Sequence, residues 1–228
     1  MRASRTAAAL LAGALAATVV WGGVMVEHSA GDADALAEAR EQGAAEAVKP
    51  VLDKPAAKES ETPSIVPIYT QTDERWGGLP YAGSDLATSG CGLTCAAMAW
   101  SYLSNEAWTP VQMLNAVGNS CVQDGQNYMP GFCTWMQGQD PSVSYTTQYE
   151  DRDRALTDLQ GGQIVFGSMT GRLEEGGREY GGHIVLLVSY DGEEVTIHDP
   201  CSMYEVVLTK QQFETVNWGY FISMGRSE

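Results

Sequence analysis

Cys91 stands between Gly90 and Gly92 at the head of an apolar run, in the segment SGCGLTCAAMAWSYL from Ser89 to Leu103. A cysteine nucleophile acts as its thiolate, and backbone N–H groups at a helix start favour negative charge. The flanking glycines read as room for a substrate backbone to come close. Cys95 lies one turn further on and on the same side, a position that suits a structural cysteine better than an attacking one. A thiol nucleophile needs a base. The histidines of the chain are His28, His183 and His198. His28 falls in a polar N-terminal stretch. His183 follows Gly181-Gly182 and opens an apolar run, and His198 directly precedes Asp199.

These residues need elements to position them. LTCAAMAWSYL has the 3.6-residue periodicity of a helix, and Cys91 would open it. GGHIVLLVSYDGEEVTIHDP reads as a β-hairpin turning at Asp191-Gly192. Ile184 to Val188 is continuously apolar, so both faces of that strand should be covered. In EVTIHD the alternation puts Val195, Ile197 and Asp199 on one face and Glu194, Thr196 and His198 on the other. The apolar set should face the core, so His198 is expected to point out. Asp199 shares a face with His183 only if position 183 stands opposite 201. A three-residue loop, Asp191-Gly192-Glu193, gives that register, and an odd-length loop is therefore expected.

Elsewhere, SIVPIYTQ reads as a short strand and TDERWGGLPYAGSDLATSG as loop. Thr109 caps a second helix with Pro110 in its first turn, and MPGFCTWMQG reads as a third. DRDRALTDLQGG ends in the glycines that follow a helix, QIVFGSM is a strand, YEVVLT another, KQQFETVN a helical turn and WGYFISM a last strand. Helices early and antiparallel strands late give an α+β layout.

Arg2 and Arg5 precede the uncharged run Ala7 to Val26, which reads as a signal peptide or N-terminal membrane anchor within residues 1–30. An Ala/Glu-rich linker over 31–62 and a folded domain over 63–228 follow. The expected location is secreted, or on the outer face of the membrane. The net charge is −16. From Ser64 onward seven basic side chains face twenty acidic ones, which argues against nucleic-acid or anionic-lipid partners. Membrane contact is expected only through the N-terminal segment, and the domain is expected to act as a monomer.

Five cysteines, Cys91, Cys95, Cys121, Cys133 and Cys201, leave an odd thiol in an oxidising compartment. The other four allow three pairings; Cys121 with Cys133 and Cys95 with Cys201 is the set expected here. The chain has no Cys-x-x-Cys pair, so neither a metal nor another cofactor is expected.

The segments VPIYTQTDERWGGLPY, GCGLT, LQGGQIVFG, GGHIVLLVSYDGEEVTIHDP and LTKQQFETVNWGYF resemble the papain-like cysteine peptidases. Within that superfamily they are similar to the branch of the bacteriocin-processing, double-glycine leader peptidases. The resemblance implies an α+β papain-like fold with the nucleophile helix packed on an antiparallel sheet. It implies Cys91 as nucleophile, His183 as general base and Asp199 as the residue orienting it. Gln71 lies in a matching segment and is the candidate oxyanion-hole donor, although the chain has Leu93 where the family commonly has proline and Cys95 where it commonly has serine. The implied activity is hydrolysis of peptide bonds in a peptide or protein through an acyl-enzyme thioester. A cell-wall peptidoglycan amidase or endopeptidase using the same triad, and a non-catalytic surface binding module, are the alternatives.

Overall fold

The computed structural model describes residues 65–227. The expected signal or anchor over 1–30 and the linker over 31–62 lie outside the described residues. Among the described residues no helix is long and apolar enough to cross a membrane.

Six antiparallel strands form the main sheet: β5 (Val143–Tyr145), β6 (Ile164–Arg172), β7 (Glu179–Tyr190), β8 (Glu194–His198), β9 (Glu205–Thr209) and β10 (Asn217–Arg226). Their spatial order is β5-β10-β6-β7-β8-β9. Both faces are covered, as the apolar run in β7 predicts. Ile184 and Leu186 face a cluster with Leu93, Met98 and Met136, whereas Val185 and Leu187 join Leu156, Ile197 and Phe213 on the other face.

The helix Cys91–Ser104 lies on the first face, and all but a few of its side chains are buried. A buried leucine such as Leu93 contributes about 1.5–3 kcal/mol relative to exposure, so this helix is held by packing on many sides. Helices Pro110–Val117 and Met129–Gln139 complete that layer. Thr109 and Gln112 form a reciprocal capping box at the start of the first of these, with Pro110 in its opening turn. Trp100, Trp108 and Trp135 meet edge to face at 5.7–6.3 Å and tie the three helical segments together. Helices Arg152–Gln160 and Lys210–Thr215 cover the opposite face.

Two local expectations are corrected. Ser64 to Gln71 forms no strand among its described residues. Pro67 has no N–H for a ladder, and the segment instead docks through single bonds such as Gln71 N–H to the Pro200 carbonyl at 2.7 Å. The expected loop over 72–90 contains a short hairpin, β1 (Pro80–Tyr81) with β2 (Ser84–Asp85), and a one-turn helix Leu86–Ser89 capped by Asp85. A further hairpin, β3 (Val122–Gln123) with β4 (Gln126–Asn127), precedes helix Met129–Gln139.

Candidate active site

The β7–β8 register puts the histidine and the aspartate together by a route the sequence reading did not foresee. Tyr190 pairs with Val195, so the loop holds four residues rather than an odd number. A register shift between Leu187 and Ser189 then leaves Val188 unpaired, and beyond it Leu187 faces Ile197 and Leu186 faces His198. The even loop and the bulge together restore the register in which 183 stands opposite 201.

His183 Nε2 donates to Asp199 Oδ1 at 2.7 Å, and both side chains are buried. Asp199 Oδ1 also accepts the Cys201 N–H at 2.8 Å, and its Oδ2 accepts the Tyr180 hydroxyl at 3.0 Å. The Tyr180 ring lies parallel to the imidazole, 3.9 Å away and tilted by 5°. With Nε2 committed to Asp199, the remaining nitrogen of His183 is left to hydrogen-bond Cys91. Burial disfavours the charged imidazole, but the hydrogen bonds to Asp199 and Cys91 outweigh it and raise the His183 pKa to about 9. Burial likewise pushes Asp199 up, and its bonds from His183, Cys201 and Tyr180 bring it below the usual carboxylate range.

Cys91 is the first residue of its helix and is half-buried. The glycines beside it serve the protein's own packing, which corrects the reading of them as space for substrate. A Cβ on Gly90 would come within 2.5 Å of Leu86 O, and one on Gly92 within 2.5 Å of Asn127 Cβ. Asn127 is a site residue that the sequence reading missed. Its Nδ2 donates to Ser89 O at 2.8 Å and lies 3.6 Å from Cys91 Sγ, and its Oδ1 accepts from Leu93 N–H and Tyr81 Oη. Its signal was the Asp124-Gly125 pair, both at positive φ, the strongest short hairpin sign.

Cys95 is fully buried, and burial drives its thiol pKa well up. Its Sγ donates to the Ile184 carbonyl at 3.4 Å, so this thiol ties the Cys91 helix to the strand residue next to His183. Neither expected disulfide is formed: Cys91, Cys95, Cys121, Cys133 and Cys201 are all free thiols. Each thiol has its own surroundings. Cys121 contacts Ser120 Oγ, Cys133 is in the helical core, and Cys201 sits beside Arg178 Nη1 at 3.8 Å.

His198 does not point to solvent. It is 1% exposed, because the Pro67 segment closes over that face; Nδ1 donates to Pro67 O at 3.2 Å and Nε2 lies 3.4 Å from Glu205 Oε1. Burial, the largest influence, lowers its pKa. Gln71 is also buried, with Nε2 donating to Ala87 O at 2.7 Å and Oε1 unpartnered. It therefore lies between the short helix that leads into Cys91 and the Pro200 turn that follows Asp199. Among the described residues, ligand-type atoms of His183, Asp199 and Cys201 lie within 4.8 Å of one another. Each of these already hydrogen-bonds inside the site.

The sequence model of the Peptidase_C39 like family matches residues 64–225. A solved structure of a candidate C39-like peptidase from Bacillus anthracis is similar at 19% identity and a TM-score of 0.49, over 72% of this chain and 96% of that one. No curated protein matches the sequence. The helix on an antiparallel sheet is the α+β layout that the sequence implied.

Proposed function

The chain belongs to the Peptidase_C39 like family, and we propose that it is a cysteine peptidase in which Cys91, His183 and Asp199 cleave a peptide bond through an acyl-enzyme. The observation that carries this reading is the chain of contacts from Cys91 to His183 to Asp199, with Nε2 and Oδ1 at 2.7 Å.

In this mechanism the Cys91 sulfur, its proton held by His183, attacks the carbonyl carbon of the scissile amide, and the carbonyl π-electrons move onto oxygen. The backbone N–H of Cys91, at the start of its helix, and Gln71 Nε2 supply the hydrogen bonds to that oxyanion. Collapse of the intermediate breaks the C–N bond, and the His183 imidazolium gives its proton to the leaving amine. The products of this half-reaction are an amine and a Cys91 thioester. Neutral His183 then takes a proton from water as the water attacks the thioester, which releases the acid and restores the Cys91–His183 pair. Asp199 and Tyr180 keep the imidazole in one orientation through both steps. The elevated pKa of His183 favours the protonated form, the one needed when the amine leaves.

We extend the proposal to location: the Ala7–Val26 run would place this domain outside the cytoplasm. Cell fractionation and protease accessibility on intact cells test that part separately.

The catalytic part is tested by turnover of quenched peptides. Cys91→Ala and His183→Ala are expected to lose activity by at least about 1000-fold. Folded His198→Ala protein is expected to keep turnover while losing stability, because it removes a buried, hydrogen-bonded side chain. Undiminished turnover in Cys91→Ala would end the proposal.

A further inference from the structure

A cavity of about 280 Å³ opens beside the thiol, between the β3–β4 hairpin, the start of helix Met129–Gln139 and the sheet residue Tyr220. Asn127 belongs to both places. It lines the cavity, and its Nδ2 is 3.6 Å from Cys91 Sγ. Tyr220 and Gln148 also line the cavity, and they hydrogen-bond to each other. A peptide presenting its carbonyl to Cys91 would therefore have a neighbouring side chain at this opening.

The wall has a definite chemistry. The rings of Tyr128 and Tyr220 and the buried Met129 offer apolar surface, and Gln126 and Gln148 offer amides. Asp124 is the only charged residue on the wall, and its carboxylate takes part in no ion pair or hydrogen bond among the described residues. An apolar stem ending in a cation matches such a wall, because the methylenes cover ring and thioether surface and the head reaches the acid. Tyrosine faces also attract cations. A carboxylate side chain would meet Asp124 at close range in a chain of net charge −16.

We propose that this cavity is a substrate subsite adjoining Cys91 and that it selects a lysine or arginine side chain, whose charge is received by Asp124. The proposal rests on the peptidase reading for the reaction, although the binding it describes can be measured without turnover.

The test uses quenched peptides that differ at a single position, carrying Lys, Gln or Glu at each site flanking the cleaved bond. At one position, kcat/KM for Lys should exceed that for Gln by about fivefold, the effect of one partly exposed charge pair, and that for Glu by more. Asp124→Asn should bring the Lys-to-Gln ratio to about one. Asn takes the left-handed conformation at this position readily, so the hairpin turn persists. Asp124→Lys should invert the preference toward Glu, an outcome that misfolding cannot imitate. Equal cleavage of all three peptides at every position, or a preference unmoved in Asp124→Asn, overturns the proposal.

If no peptide is cleaved, the peptidase reading fails, and the subsite is judged by calorimetric titration of the Lys and Gln peptides into the protein. Tighter binding of the Lys peptide, lost in Asp124→Asn, supports the subsite. Equal affinities refute it.

Discussion

Burial alone would leave the His183 imidazole neutral; Asp199 and Cys91 together hold its proton to about 9. That balance makes a directional prediction. With His183 needed as a proton donor, the basic limb of the kcat/KM profile should fall near 9. Asp199→Asn keeps a hydrogen-bonding side chain but removes the charge, so burial is opposed mainly by Cys91. The basic limb should then move down from about 9 toward 6.5, the ordinary histidine value, and turnover at pH 9 should drop by about tenfold or more. Tyr180→Phe isolates a second influence, since it keeps the ring stacked on His183 and deletes only the donor to Asp199 Oδ2. Its expected signature is a three- to tenfold lower kcat with KM nearly unchanged, about the net effect of one intramolecular hydrogen bond. A fall in KM alone, with kcat intact, would place Tyr180 outside the positioning of the histidine.

At the scale of elements, the site depends on a close fit between the β3–β4 hairpin and the first turn of the Cys91 helix. Gly92→Ala places a Cβ 2.5 Å from Asn127 Cβ and 2.8 Å from Met129 Sδ. The hairpin must move, at a cost of about 1–3 kcal/mol, and Asn127 is drawn off Cys91 as it does. Urea unfolding should show the loss of stability, and peptide turnover should fall by more than that loss explains, because the thiol's neighbour has shifted. Unchanged urea midpoint and turnover would mean that the hairpin absorbs the methyl group without strain. The same elements show which parts of the fold could be read in the chain. The Cys91 helix, the Thr109 cap and the β7–β8 hairpin were legible because periodicity, capping chemistry and turn residues agree there. The bulge at Val188 was not legible, since a bulge leaves no mark in a continuously apolar run; only its effect, a shared site for His183 and Asp199, was anticipated. Asn127 escaped because it acts through contacts 34 to 38 residues away in sequence with Leu93, Cys91 and Ser89. His198 was misjudged for a related reason: alternation assigns a strand residue to a face, but Pro67, a contact 131 residues away, covers that face.

For the whole molecule, the His183–Asp199 pair couples the site to global stability, and the sign of that coupling distinguishes an ion pair from a merely buried histidine. His183 is raised from 6.5 to about 9 in the folded protein, so its contribution is complete below 6.5 and is lost as pH rises through about 9. Asp199 is depressed, so its contribution is present above the ordinary carboxylate range and is lost as pH falls through it. The pair therefore stabilises the fold most between about 4 and 6.5 and still substantially at neutral pH; the His183 shift corresponds to on the order of 3 kcal/mol. Thermal unfolding should accordingly show a plateau across the mildly acidic range and a decline of several degrees between pH 6.5 and 9. In Asp199→Asn the histidine is buried without its carboxylate. The stabilisation gained on protonating the imidazole then shrinks, and the variant should fall furthest behind the wild type below pH 6.5, where the wild type is on its plateau. The measurement is the difference in melting temperature between the two proteins at pH 5 and at pH 9. A difference that grows toward pH 5 means that His183 is charged and paired in the fold. If the difference is the same at both pH values, the imidazole does not titrate with folding, and the raised pKa on which the proton-donor step depends is wrong.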